Sequence, residues 1–138
     1  MAIRNLVIVG VGLIGGSLAA AARAKGLAER IIGVEPNSQS ASYALDKGLV
    51  DEIVEKVPSD VDLCALCVPS DRIAEWALRL ADCAATVIDV GSVKGPILEA
   101  VQAAPATVTN FVPCHPISGS EKSGPSAADA QLFDGCMV

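Results

Sequence analysis

His115 is the only histidine in the chain. It sits between Cys114 and Pro116 in FVPCHPISGSEKSG, where an apolar run gives way to small polar residues. An imidazole titrates near neutral pH and can take a proton from a substrate hydroxyl. Proline at 116 biases His115 toward an extended backbone, which narrows where its ring can point. The plain alternative is a lone polar residue capping a strand end, and its place in the fold decides between the two. A second chemical pattern lies near the start of the chain, where Gly10-Val11-Gly12-Leu13-Ile14-Gly15 has the GxGxxG spacing. After a strand and at the opening of a helix, this spacing suits a pyrophosphate. Gly10 permits the tight turn, Gly12 leaves the backbone approachable, and Gly15 lets the helix pack on the sheet. The helix start at Leu13 and Ile14 offers free N–H groups and a positive dipole end. Glu35 follows Gly15 by twenty residues, at the end of the next apolar run. A carboxylate there can accept both ribose hydroxyls of an adenosine half, the alternative being a solvated carboxylate at a helix start. Glu35 would repel a 2′-phosphate, and PNSQS after it holds no arginine, so NAD is expected over NADP.

These groups lie a hundred residues apart, so the fold must bring them together. At 138 residues the chain is one domain, residues 1–138, large enough for a real core. Hydrophobic residues make up 51% and aromatic ones 3%, so the core must be aliphatic, which suits a parallel sheet covered by helices. Apolar runs predict strands over 5–9, 30–34, 61–68, 86–90 and 107–113, with a short one near Ile53. Helical patterns cover 13–25, 38–47, 70–81 and 96–103. Gly26 and Gly48 read as helix stops, and Pro96 suits a first helical turn. Ile73, Trp76, Ala77 and Leu80 share one helical face, which makes Trp76 a core residue and not a platform for a cofactor. Strict alternation of strand and helix predicts an open, doubly wound α/β sheet of the Rossmann type. It should be mostly parallel, with helices on both faces and right-handed connections.

Ligands in such sheets bind outside the carboxyl ends of the strands. Three segments end there: CVPSD, with Val68, Pro69 and Ser70 as cofactor-binding candidates; VIDVGSVKG; and VPCHPISGSEKSG. With the strand order 3-2-1-4-5-6 they line the nicotinamide half of the crevice and place His115 at its reacting end. The net charge of −6 leaves no basic stripe for nucleic acid. The N-terminal apolar segment is broken by glycines and is too short to span a bilayer, so the expectation is a cytoplasmic protein with no membrane partner. Five cysteines make an odd count without a secretory context. Cys64 and Cys67 form a CxxC, but within a strand their side chains point to opposite faces and no second ligand pair is present. They read as small hydrophobes, and no metal is expected.

Taken together, GVGLIGGSLA, VIDVGSVK and HPISGSEKSGPSAADAQLFDG resemble the prephenate and arogenate (cyclohexadienyl) dehydrogenases. The last motif is specific: HP, then GxExSG, then an Ala-rich helix and LFxG. The resemblance implies oxidative decarboxylation of prephenate or arogenate in tyrosine biosynthesis. His115 matches the family's catalytic histidine, the base for the substrate hydroxyl proton. Ser92 matches the serine of GSxK, which would hydrogen-bond that hydroxyl and orient the imidazole; a helix N-cap before Pro96 is a compatible structural role. Gly119, Glu121 and Ser123 match GxExSG, a loop beside the substrate, although Glu121 taken alone reads equally well as a solvated surface residue. Lys94 and Lys122 read as residues of solvated faces.

Ser118 departs from the family's usual alanine and adds a hydroxyl near the site. The family also carries a following helical domain that supplies dimer contacts and an arginine for the substrate carboxylate. Here the sequence ends on Cys136-Met137-Val138, which resembles the start of a strand cut short. The expectation is therefore the cofactor-binding and part-catalytic domain of a larger enzyme, a homodimer when complete. A stand-alone dinucleotide-binding module without turnover is the alternative, and the GSVK and HPISGSE motifs favour the enzyme. A β-hydroxyacid dehydrogenase would want a catalytic lysine on a later helix.

Overall fold

The computed structural model describes residues 3–104, 108–116 and 124–135. Six strands form one sheet in the order β3-β2-β1-β4-β5-β6, and every pairing is parallel. They are β1 (Ile3–Val9), β2 (Ala28–Val34), β3 (Glu52–Ile53), β4 (Leu63–Leu66), β5 (Thr86–Asp89) and β6 (Phe111–Val112). Helices α1 (Leu13–Ala24), α2 (Ser38–Asp46), α3 (Ser70–Arg79) and α4 (Lys94–Ala103) connect them. The doubly wound sheet and its strand order match the sequence expectation.

Side-chain alternation divides the core into two layers. Leu6, Ile8, Ile31 and Ala65 pack with Ala19 and Ala22 of α1 and Ala44 of α2. Val7, Val9, Cys64, Leu66 and Val87 face the other way, against Ile73, Trp76 and Ala77 of α3 and Ile97 of α4. Trp76 belongs to this second layer, as its helical spacing predicts. Cys64 is packed there too, whereas Cys67 lies against the first layer. Burial pushes both thiols up to about 12, so they behave as small apolar groups.

The strand boundaries differ from the apolar runs for local reasons. β1 and β2 begin two residues early because Ile3 pairs with Ala28, where the neighbouring Arg4, Glu29 and Arg30 are exposed and carry no apolar signal. β4 is shorter than 61–68, since past Val9 the neighbouring strand turns away at Gly10. The last ladder bond there is Cys67 N–H to Val9 O at 2.7 Å. β6 shrinks to two residues at the sheet edge. Before it, the Asn110 side chain is turned inward to donate to Leu80 O and Ala85 O.

Gly26 and Gly48 do stop α1 and α2, with φ of +62° and +69°. α4 starts two residues before Pro96, so the proline lies within the first turn, where no N–H is needed. Val93, not Ser92, is the N-cap of α4, and no side chain caps it. The Ala-rich stretch after Gly124 forms only a 3-10 turn, Pro125–Ala127. Asp129 N–H donates to the buried Ser17 Oγ at 2.9 Å, which ties this segment to α1 instead of continuing a helix. No helix among the described residues is long and apolar enough to cross a membrane.

Candidate functional site

The turn after β1 is built from backbone, and each glycine has a different reason to be there. Gly10 has φ +90°, and a Cβ on it would lie 2.6 Å from Cys67 O. A Cβ on Gly15 would fall 2.0 Å from Gly10 O, so helix and turn touch directly. Gly12, the N-cap of α1, is the opposite case: a Cβ there meets nothing within 4 Å. The open space at the helix start is where a ligand can reach the first N–H groups.

Glu35 holds this turn from the end of β2. One carboxylate oxygen accepts Val11 N–H at 3.0 Å and the other accepts Asn37 N–H at 2.9 Å. Asn37 is the N-cap of α2, its side chain accepting Ser40 N–H at 2.9 Å. Each oxygen keeps a further lone pair for a hydroxyl donor.

Two adjoining cavities cross the carboxyl ends of the strands. One, of about 880 Å³, is lined by Gly10, Gly12, Glu35, Val68, Pro69 and Arg72, among others. The second, of about 390 Å³, is lined by Ile14, Val68, Pro69, Ser70, Ser92 and His115 among others. Val68 and Pro69 belong to both, so the two form one crevice at the β1–β4 switch point. The structure thus brings Ser92 and His115 to one pocket, both exposed, without a hydrogen bond between them among the described residues. Leu13 and Gly15 line neither cavity. Leu13 is buried in the core, and Gly15 serves the packing of α1. Gly119, Glu121 and Ser123 lie outside the described residues, as do Ser118 and Lys122.

Behind the second cavity lies Asp89, at the end of β5 and with no exposed surface. Its Oδ2 accepts Gly91 N–H at 3.0 Å and the Lys94 ammonium, while its Oδ1 accepts Cys114 N–H at 2.9 Å. Burial, and then the Asp89 charge, raise the Cys114 thiol, with Lys94 acting in the opposite sense.

The sequence profile of the prephenate dehydrogenase nucleotide-binding domain matches residues 18–138. The chain belongs to this family. Similarity extends upstream of that span: a prephenate dehydrogenase of Bacillus subtilis is 30% identical over 94% of the chain. The structure of prephenate dehydrogenase from Aquifex aeolicus, in complex with hydroxyphenyl propionate and NAD+, superimposes with a TM-score of 0.86. It is 34% identical and covers 99% of the chain. Arogenate dehydrogenase of Synechocystis matches with a TM-score of 0.81, 31% identity and 96% coverage. The chain spans 37% of the Bacillus protein, 49% of the Aquifex chain and 48% of the Synechocystis chain.

Within this family domain, sequence reasoning missed the surroundings of Lys94 and Arg72. Lys94 is not on a solvated face; its side chain is 23% exposed and its ammonium meets Asp89. The signal for that pair was an acidic residue at the end of an apolar strand with a lysine five positions on. Arg72 comes from α3 to the cavity that Glu35 lines. A search confined to PNSQS, the five residues directly following Glu35, could not have found it.

Proposed function

We propose that this chain is the NAD-binding and part-catalytic domain of an enzyme that oxidatively decarboxylates prephenate or arogenate. The observation that carries the reading is the shared crevice: Val68 and Pro69 join the glycine turn and Glu35 to the pocket holding Ser92 and His115. The residues fit the cofactor. Open space at Gly12 admits a pyrophosphate to the helix start, and the Glu35 carboxylate, held by two N–H groups, has lone pairs left for ribose hydroxyls. Gly10, Gly12, the N–H groups of Leu13 and Ile14, and Glu35 would hold the adenosine and pyrophosphate, with Gly15 packing α1 beneath them. Val68, Pro69 and Ser70 would border the nicotinamide half. NAD, when bound, supplies the hydride acceptor.

The chain's own part is proton handling and orientation. Ser92 Oγ hydrogen-bonds the substrate hydroxyl, and an imidazole nitrogen of His115 takes its proton as the hydride leaves the carbinol carbon. The carbon–carboxylate bond then breaks, carbon dioxide departs, and the electron pair enters the ring, which becomes aromatic. The phenolate oxygen formed takes a proton back. Gly119, Glu121 and Ser123 are assigned to the substrate side by their match to the family's GxExSG motif alone, and the enzyme acts as a homodimer. The four described cysteines are free thiols, which supports a reducing compartment, the cytoplasm.

A melting series of this chain with NAD, prephenate and both, beside an absorbance assay for NADH, tests the reading. NAD at about a hundred times its dissociation constant should stabilise the fold by roughly 2.7 kcal/mol, a rise of several degrees. No rise at any NAD concentration would sink it.

A further inference from the structure

Asp89 is the one charged side chain fully buried among the described residues, yet it lines neither cavity. A buried carboxylate is tolerated when its oxygens are satisfied by donors and a counter-charge, and here all the donors come from the segments bearing the reacting groups. Gly91 directly precedes Ser92, Lys94 opens α4 two residues beyond it, and Cys114 directly precedes His115. The link between Asp89 and Cys114 matters most, because β6 is two residues long and pairs with β5 at two positions, Val87 with Phe111 and Ile88 with Val112. Beyond Val112 the chain leaves the ladder, and the Cys114 N–H bond to Asp89 carries its attachment one step further toward His115.

We propose that Asp89 is a positioning residue: its buried carboxylate clamps the turn bearing Ser92 to the segment bearing His115, and Lys94 is its counter-charge. The inference rests on the reading of Ser92 and His115 as the reacting pair. Asparagine at 89 keeps the shape but has one oxygen and one NH2 group. The oxygen can serve one segment, and the NH2 then confronts an N–H of the other, so the clamp opens. Replacing Lys94 alone leaves both N–H acceptors in place but strands a buried charge, which lowers stability. Neutralising both partners removes that penalty without restoring the clamp.

The test uses the 15N-labelled 138-residue chain and the variants Asp89→Asn, Lys94→Met and the double variant. Because His115 is the only histidine, its imidazole signals report one site. In Asp89→Asn and in the double variant the Cys114 amide should exchange about tenfold faster relative to the β1 amides, and the His115 signals should move. NAD affinity should stay within about threefold, since the nucleotide contacts lie elsewhere. Lys94→Met should melt lower yet keep Cys114 protected, and the double variant should regain the melting temperature without regaining protection. Unchanged His115 signals in Asp89→Asn would overturn the proposal. So would recovery of protection along with stability in the double variant, or loss of protection in Lys94→Met. If neither neutral variant folds, Asp89 serves fold stability and the positioning role is refuted. These readouts do not depend on turnover. A clamp that behaves as stated, in an enzyme whose turnover survives loss of His115, would sink the functional reading alone.

Discussion

The two halves of the crevice are held in different ways. The half around Gly10 to Gly15 and Glu35 is made of backbone: positive φ at Gly10, contact at Gly15, and two N–H groups fixed by one carboxylate. It rests on β1 and β2, seven residues each, in the middle of the sheet. The half around Ser92 and His115 is made of exposed side chains on loops after a four-residue strand and a two-residue edge strand. A backbone-built half fails when a side chain is added. A side-chain-built half loses its chemistry when a side chain is changed, while the fold persists.

The largest expected effect separates two neighbouring glycines. Gly15→Ala forces a Cβ into Gly10 O at 2.0 Å and should destabilise the chain by about 3 kcal/mol or prevent folding. Gly12→Ala meets nothing within 4 Å, so its melting temperature without ligand should stay within about two degrees. The stabilisation by NAD should nonetheless fall by at least about 1 kcal/mol, because the methyl occupies the ligand's approach. Thermal melts with and without NAD check both; equal behaviour of the two variants would break the comparison.

His115→Asn should do the reverse. In an active enzyme containing this domain, turnover should fall by about 10² to 10⁴, with NAD affinity nearly unchanged. The exposed ring has little packing to lose, so the melting point should not move by more than about two degrees. Turnover that survives the change places the base elsewhere.

This contrast also governs what could be read in the sequence. The glycine turn was legible because its partners are near in sequence and their geometry follows from fixed spacing. Glu35 stood out by its spacing from Gly15, but its grip on Val11 N–H did not, since that needs β1 beside β2. Alternation of strand and helix gave the doubly wound class, and the order of the strands was the usual one for that class; the shortness of β6 was not legible, and neither was the bonding of the Asn110 side chain to Leu80 O, Cys83 O and Ala85 O, 25 to 30 residues away. Asp89 was hidden inside VIDVGSVK. Its bond to Cys114 spans 25 residues and exists only once β5 and β6 are adjacent.

Cofactor choice is a smaller effect and draws on both halves of that lesson. In the proposed assignment Glu35 takes the adenosine ribose and disfavours a 2′-phosphate, so NAD should bind at least about tenfold tighter than NADP, on the order of 1.4 kcal/mol. Arg72 lines the same cavity and opposes Glu35 there. Arg72→Ala should therefore widen the preference, by a factor of about two to five, given its exposure. Calorimetric titration with both cofactors decides it, and equal affinities in the parent chain would sink the assignment of Glu35.

The smallest effect belongs to a second clamping carboxylate, Asp51, which lines neither cavity and pairs with the last turn of α1, away from the glycine turn. Asp51 accepts Ile31 N–H at 2.8 Å and pairs with Arg23 at 3.1 Å, joining the loop before β3 to β2 and α1. Partial burial opposes its ionisation, but the Ile31 N–H and the Arg23 charge outweigh that, and its carboxyl lies below the usual value. A lowered folded-state pKa means that the folded chain binds the proton less readily than the unfolded one. The stabilisation is therefore complete above the unfolded value, about 3.9, and is lost as pH falls through the lower folded value. Its side chain is 38% exposed, so solvent screens the pair and the contribution at neutral pH should be under about 1 kcal/mol. Asp51→Asn should thus melt only a few degrees below the parent at pH 7, and the gap should close as pH falls below about 4. A gap that stays constant down to pH 3 would mean that shape, not charge, is what Asp51 supplies.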